Sequence, residues 1–141
     1  PRNFSTFYNC PQKFIHNIVP LDFKTLFYIP IFLGGHKVDA LIDTGAFSSA
    51  ISLLEFNNVR NSTKNQSICS GIQSISNESV RVANGTPARI LFKATLQITV
   101  AGFQFTENFI VVENLNSVIL GVPFFIDNKI VIDLTNGRLK L

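Results

Sequence analysis

The residues best suited to chemistry are three in a row, Asp43-Thr44-Gly45. Asp43 closes the apolar run Ala40-Leu41-Ile42. A carboxylate flanked by apolar side chains is expected to be partly desolvated, which raises its pKa. Thr44 offers a short hydroxyl that can bond across a neighbouring copy of the same loop. Gly45 supplies the backbone freedom and close approach that a tight turn needs. Taken alone, the triplet reads first as an ordinary turn at the end of a strand, so the surrounding elements must decide.

Other reactive residue types are sparse. Cys10 and Cys69 make no disulfide framework and lack metal-ligand spacing, so they read as free thiols. His16 and His36 have no partners at zinc-type spacing. No metal and no cofactor is expected. Sequons at Asn3, Asn61, Asn65, Asn77 and Asn84 fit an Asn/Ser-rich loop composition. The net charge of +3 is small and its basic residues are scattered, with Arg138 and Lys140 the closest to a cluster. That argues against nucleic acid as a partner. The longest apolar stretch, Leu26–Leu33, contains Pro30 and is too short to span a bilayer or to act as a signal peptide.

The elements that must position the triplet are mostly strands. The 141 residues, 46% hydrophobic and 15% charged, fit one globular domain with a modest core. Fourteen Phe, two Tyr and no Trp, beside abundant Ile, Val and Thr, favour strands over helices. Residues 1–25 have no clear period and read as an N-terminal arm, with one short strand around Phe14–Val19. Leu26–Leu33 and Val38–Ile42 form a hairpin about Gly34-Gly35, a primed two-residue turn. Phe47–Ser52 resumes an extended course, and residues 55–79 are a polar surface excursion with a short helix near Leu53–Asn58. Val80–Ile90 is a hairpin about Asn84-Gly85; Leu91–Val100 and Phe103–Val112 run out and back about Ala101-Gly102. Val118-Ile119-Leu120 is a short strand stopped by Gly121, and Pro123 then opens a helix of about two turns. Lys129–Leu134 and Arg138–Leu141 are strands joined at Asn136-Gly137. Seven to nine strands at this spacing make a small barrel or sandwich.

The order of three elements gives the triplet its meaning: a primed hairpin before it, an Asn-Gly hairpin about 40 residues later, and Ile119-Leu120-Gly121 leading into a short helix. In this order they resemble the retropepsins, the proteases of retroviruses and long-terminal-repeat retrotransposons. The resemblance is closest to gypsy-like members, whose tail reads much like Ile119-Leu120-Gly121-Val122-Pro123-Phe124-Phe125 followed by Ile130-Val131-Ile132-Asp133. It covers residues 26–141; its most specific parts are Ala40–Ala46 and Ile119–Gly121.

The resemblance implies an all-β fold: a small closed barrel of the acid-protease type, with a flap hairpin and one short C-terminal helix. It implies an aspartic endopeptidase that works as a homodimer, one Asp-Thr-Gly from each copy. Arithmetic points the same way. Aspartic proteolysis needs two carboxylates sharing one proton, and this chain has one Asp-Thr-Gly. Asp133-Leu134-Thr135-Asn136-Gly137 has the wrong spacing and reads as a strand entering a turn. Two-fold symmetry would supply the missing half. Asp43 would carry the chemistry, Thr44 would brace the pair, and the Gly45 carbonyl would face substrate. Ala46 and Phe47, the flap residues Val82, Ala83, Asn84 and Gly85, and Ile119, Leu120 and Val122 are the candidates for substrate contact. Of these, Val82, Ile119, Leu120 and Val122 fit ordinary core equally well by type. Phe47 and Ser48 stand where several retroviral members carry acids, and Val122 where some carry Arg. Losing both groups of a pair leaves no orphan charge. The expected substrate is a peptide or polyprotein, and the expected location the cytoplasm or a virus-like particle. Residues 1–25 would be a structural arm, an inhibitory extension or a polyprotein linker; the lack of Met at Pro1 fits the last. The rival readings are a domesticated dimerisation or peptide-binding module without proteolytic activity, and a small barrel module in which Asp43 only caps a turn.

Overall fold

The computed structural model describes residues 18–20, 27–62, 68–74, 79–81 and 87–141. Its elements in chain order are β1 (Ile18–Pro20), β2 (Tyr28–Leu33), β3 (His36–Ile42), β4 (Ser49–Ser52), α1 (Leu53–Ser62), β5 (Cys69–Ser74) and β6 (Ser79–Arg81). They continue with β7 (Pro87–Val100), β8 (Phe103–Val112), β9 (Val118–Leu120), α2 (Val122–Asp127), β10 (Val131–Asp133) and β11 (Arg138–Lys140).

Side-chain alternation explains the first hairpin. Ile29, Ile31 and Leu33 of β2 are buried while Pro30 and Phe32 face outward, the two-residue period of a strand. Gly34 and Gly35 have φ of 58° and 87°, and Leu33 pairs with His36 across them. A primed turn needs positive φ at both central residues and matches the twist of the strands it joins. The β7–β8 hairpin turns the same way through Ala101 and Gly102, at φ of 50° and 84°.

Six strands then close on themselves. β2 pairs with β3, β3 with β9, β9 with β4, β4 with β8, β8 with β7, and β7 returns to β2 through Phe32 and Thr99. β9 lies parallel to β3, with Ile42 opposite Leu120, and antiparallel to β4 at Ala50–Ile119. A strand from late in the chain is thereby wedged between two strands that are near neighbours in sequence. The barrel is closed, mixed and nearly all strand.

The core fills that barrel. Ile29, Ile31, Leu33, Ile51, Leu96, Ile98, Phe109 and Leu120 are fully buried inside it. Phe124 of α2 seals one end, edge-on to Phe105 at 5.4 Å and to Phe125 at 5.3 Å. Pro123 stands in the first turn of α2, where a missing N–H costs nothing. α1 starts on Ser52, whose hydroxyl accepts the Glu55 N–H at 3.0 Å, an N-cap bond. It buries Phe56 and Val59.

Eleven strands occur among the described residues, more than the seven to nine expected. The main addition is β5, placed by sequence in a surface excursion. It is polar (Cys69-Ser70-Gly71-Ile72-Gln73-Ser74), and its residues from Ser70 on are exposed. Main-chain pairing to β7, Ile72 opposite Ala94, makes it a strand. The helix read near Leu53–Asn58 runs on to Ser62. The short strand expected around Phe14–Val19 falls at Ile18–Pro20; residues 14–17 and most of the arm lie outside the described residues. β1 pairs with β11, which also pairs with β10, in a separate three-stranded sheet. The Asp133 motif is a turn: Asn136 donates to both carboxylate oxygens, from N–H at 3.2 Å and from Nδ2 at 2.9 Å. Among the described residues no helix is long and apolar enough to cross a membrane.

Leu120→Ala should destabilise the fold by about 2–5 kcal/mol, the range for emptying a core leucine site. Ile119→Ala, at a half-buried position, should cost clearly less. Urea unfolding at one fixed protein concentration measures both.

Candidate active site

The site is built where β9 crosses the loop between β3 and β4. Asp43 follows β3 directly, and its N–H donates to the Leu120 carbonyl at 3.0 Å. Three residues on, the Ala46 carbonyl accepts the Val122 N–H at 2.9 Å. Between these two stitches lies Gly121, its N–H donating to Ser49 Oγ at 3.0 Å. A Cβ on Gly121 would sit 2.6 Å from the backbone carbon and oxygen of Ser48 and 2.9 Å from the Ala46 carbonyl oxygen. The contact is with backbone, so no rotamer change could relieve it. Gly121 is required here for closeness, at a φ of −87° that any residue adopts.

Within the loop, the Gly45 N–H donates to Asp43 Oδ1 at 2.9 Å and the Ala46 N–H to the Asp43 carbonyl at 3.1 Å. The first bond fixes the carboxylate's orientation. A Cβ on Gly45 would stand 3.2 Å from that same Oδ1. Gly45 has no positive φ, so of the two reasons for a glycine, conformational freedom and close approach, the second applies. Asp43 is half-buried, and Thr44 and Gly45 are exposed.

Asp43 opens onto a groove of about 620 Å³. The walls follow from strand parity. β4, β8 and β9 are buried on both faces: Ile51, Phe109, Val111, Val118 and Leu120 point into the barrel. Ala50, Ile110, Val112 and Ile119 point the other way, into a second apolar cluster with Ile90, Val80 and Leu115. All of that second cluster but Ile90 lines the groove as its floor, and Ala46, Phe47, Ser48 and Ser117 complete the rim. Ser117 Oγ and the Tyr28 hydroxyl lie 3.1 Å apart there.

The candidates therefore divide. Asp43, Gly45, Ala46, Phe47 and Ile119 line the groove, with Phe47 72% exposed. Leu120 does not: it is fully buried in the barrel, because neighbours on a strand face opposite ways. Val122 is half-buried at the start of α2 and is not among the lining residues. Val82, Ala83, Asn84 and Gly85 lie outside the described residues. The arms that carry them are present, Val80 pairing with Ala88, and Val80 reaches the groove. Sequence reading missed Ala50, Ile110, Val112 and Leu115, although the doubly apolar run Phe109–Val112 signals a strand buried on both faces. It also missed Glu107, an acid at an inward position of β8. Its Oε2 accepts the Ser49 hydroxyl at 2.7 Å. Burial pushes this carboxyl above its ordinary range, against the Ser49 hydroxyl and the Asn108 N–H, while Asp127 adds to the upward push. Among the described residues no cluster of three His, Cys, Asp or Glu could hold a metal ion.

No family model and no curated protein sequence matches the chain. Solved structures do. The retroviral protease-like domain of Ddi1 from Leishmania major superposes with a TM-score of 0.61 at 20% identity, over 81% of this chain and 86% of that one. EIAV protease in complex with an inhibitor gives 0.62 at 16% identity, over 82% of this chain and all of the other (100%). The fold is retropepsin-like. Within this retropepsin-like barrel, the β9 crossing leaves no room for a side chain at Gly121 against the backbone of Ser48 and Ala46.

Gly121→Ala should unfold or destabilise the protein by at least about 1–3 kcal/mol, as overpacking does. Gly45→Ala, whose one close neighbour among the described residues is a side-chain oxygen, should keep most of the stability while displacing Asp43. Thermal unfolding of the two variants side by side distinguishes these effects.

Proposed function

We propose that this chain is one half of a homodimeric aspartic endopeptidase that cleaves extended peptide segments and processes a retroelement polyprotein. One observation carries the reading: a carboxylate oriented by its own loop, Gly45 N–H to Asp43 Oδ1 at 2.9 Å, opens onto an apolar-floored groove in a barrel of retropepsin-like fold. The two solved relatives are, by their descriptions, a retroviral protease and a protease-like domain.

A single carboxylate is half of what the chemistry needs, since the reaction takes one ionised and one protonated group sharing a proton. A second copy, related by a two-fold axis, supplies the other Asp43. The exposed Thr44 hydroxyl, with no hydrogen-bond partner among the described residues, supports a bracing contact across that axis. In the dimer the ionised Asp43 takes a proton from water as the water attacks the scissile carbonyl. The protonated Asp43 polarises that carbonyl and later helps protonate the leaving amine. The peptide lies extended over Ala50, Ile110 and Ile119, held by main-chain hydrogen bonds. Exposed Phe47 then becomes buried against peptide or partner. Residues 80–90 close over it as a flap that excludes water.

The test is to incubate the protein with a broad peptide mixture at about pH 4–6, with and without pepstatin. Pepstatin-sensitive cleavage is expected, rising steeply with protein concentration as dimers form. Asp43→Asn should lower it by at least about a hundredfold. Equal inertness of wild type and variant, at concentrations where a dimer is demonstrated, would instead mean a binding module that no longer cleaves.

A further inference from the structure

Glu107 is the one charged side chain among the described residues that is under a tenth exposed, at 6%, and the reaction above makes no use of it. It stands at an inward position of β8, on the same face as Phe105 and Phe109 and opposite Leu96 of β7. Its Oε2 accepts the Ser49 hydroxyl at 2.7 Å, and its Oε1 accepts the Asn108 N–H at 2.9 Å. Ser49, itself 1% exposed, accepts the Gly121 N–H at 3.0 Å. A hydroxyl has one proton to give; while Ser49 gives it to Glu107, its lone pairs are turned toward Gly121. A relay therefore runs from β8 through β4 to the crossing, whose neighbours Leu120 and Val122 hold Asp43 and Ala46.

We propose that Glu107 is a positioning residue for the Asp43 loop, holding Gly121 through Ser49 with a grip that changes with the protonation state of its carboxyl. Burial favours the neutral acid, while the bonds from the Ser49 hydroxyl and the Asn108 N–H favour the carboxylate, so the two states hold Ser49 differently. Among the described residues no counter-ion stands close to it. β4 and β9 carry no titratable side chain. α2 contributes Asp127, whose charge opposes ionisation. α1 contributes Glu55, engaged with His36, and Arg60, lying over the Phe56 ring. β7 contributes Arg89, bound to Glu113, and Lys93, which lines a separate hollow beside Asn108. An acid raised on folding stabilises the folded state fully below its unfolded value, and that contribution is lost as pH rises through the folded pKa. The effect on turnover rests on the endopeptidase reading; the effect on the loop does not.

The experiment follows backbone amide shifts of Gly45, Gly121 and Val122 in the ¹⁵N-labelled full chain from about pH 4 to 8, for wild type, Asp43→Asn and Glu107→Gln. In wild type, Gly121 and Val122 should titrate together with a midpoint above the ordinary glutamate value of 4.5. That titration should persist in Asp43→Asn and vanish in Glu107→Gln. In peptide turnover, the kcat profile of wild type should show this midpoint beside the titration of the Asp43 pair, at unchanged KM, and Glu107→Gln should show the Asp43 titration alone. An unchanged Gly121 titration in Glu107→Gln, or none in wild type, overturns the proposal. If the amides titrate through Glu107 while wild type cuts no peptide, the endopeptidase reading falls and the positioning role stands. Should Glu107→Gln lose its native spectrum, Ser49→Ala decides: Asn108 should still titrate while Gly121 does not, and a Gly121 that still follows pH overturns the relay.

Discussion

The structure depends on one close approach, the backbone of Gly121 against the carbonyls of Ser48 and Ala46. No side chain fits between them, so the β9–α2 junction and the loop after β3 are held at backbone contact distance. Among the described residues, the hydrogen bonds that order the loop from outside come from this contact: Asp43 N–H to Leu120, Val122 N–H to Ala46, and Gly121 N–H to Ser49. The position of the candidate catalytic carboxylate is thus set by residues almost eighty positions later in the chain. A loop anchored in this way is stiffer than its own short-range bonds would make it, and precise placement is what acid–base chemistry requires.

The crossing also explains how so short a chain has both a core and a groove. β9 enters between β3 and β4, and together with β8 this leaves a layer of strands with apolar side chains on both faces. One set fills the barrel with Ile51, Phe109 and Leu120; the other floors the groove with Ala50, Ile110, Val112 and Ile119. The groove floor is the back of the core, so the same burial that stabilises the fold also shapes the surface where peptide would lie.

Two buried polar groups interrupt this apolar layer, Ser49 and Glu107. Each satisfies the other, and Ser49 also satisfies the backbone N–H that the crossing would otherwise strand in a dry interior, an arrangement that polar burial demands. The exposed apolar Phe47 at the groove rim and the exposed Thr44 are the converse: groups that the described residues leave open to solvent.

Sequence by itself determined much of the local structure. Gly34-Gly35 and Ala101-Gly102 made their turns, Pro123 began its helix and the Asp133 motif closed a hairpin, because turn geometry, proline's fixed φ and two-residue alternation act over a few neighbours. It also singled out Asp43-Thr44-Gly45 and Ile119-Leu120-Gly121. What it left open was which way each residue faces and what touches what. β5 was hidden because a polar strand owes its form to main-chain pairing with a distant partner. Leu120 and Ile119 were alike by type, and only the placement of β9 between β3 and β4 sent one to the core and the other to the groove. Glu107 carried no signal in the sequence, and it is the closed barrel that buries it. The tertiary structure decided these matters because burial and proximity are properties of the closed barrel, and no span of neighbouring residues contains them.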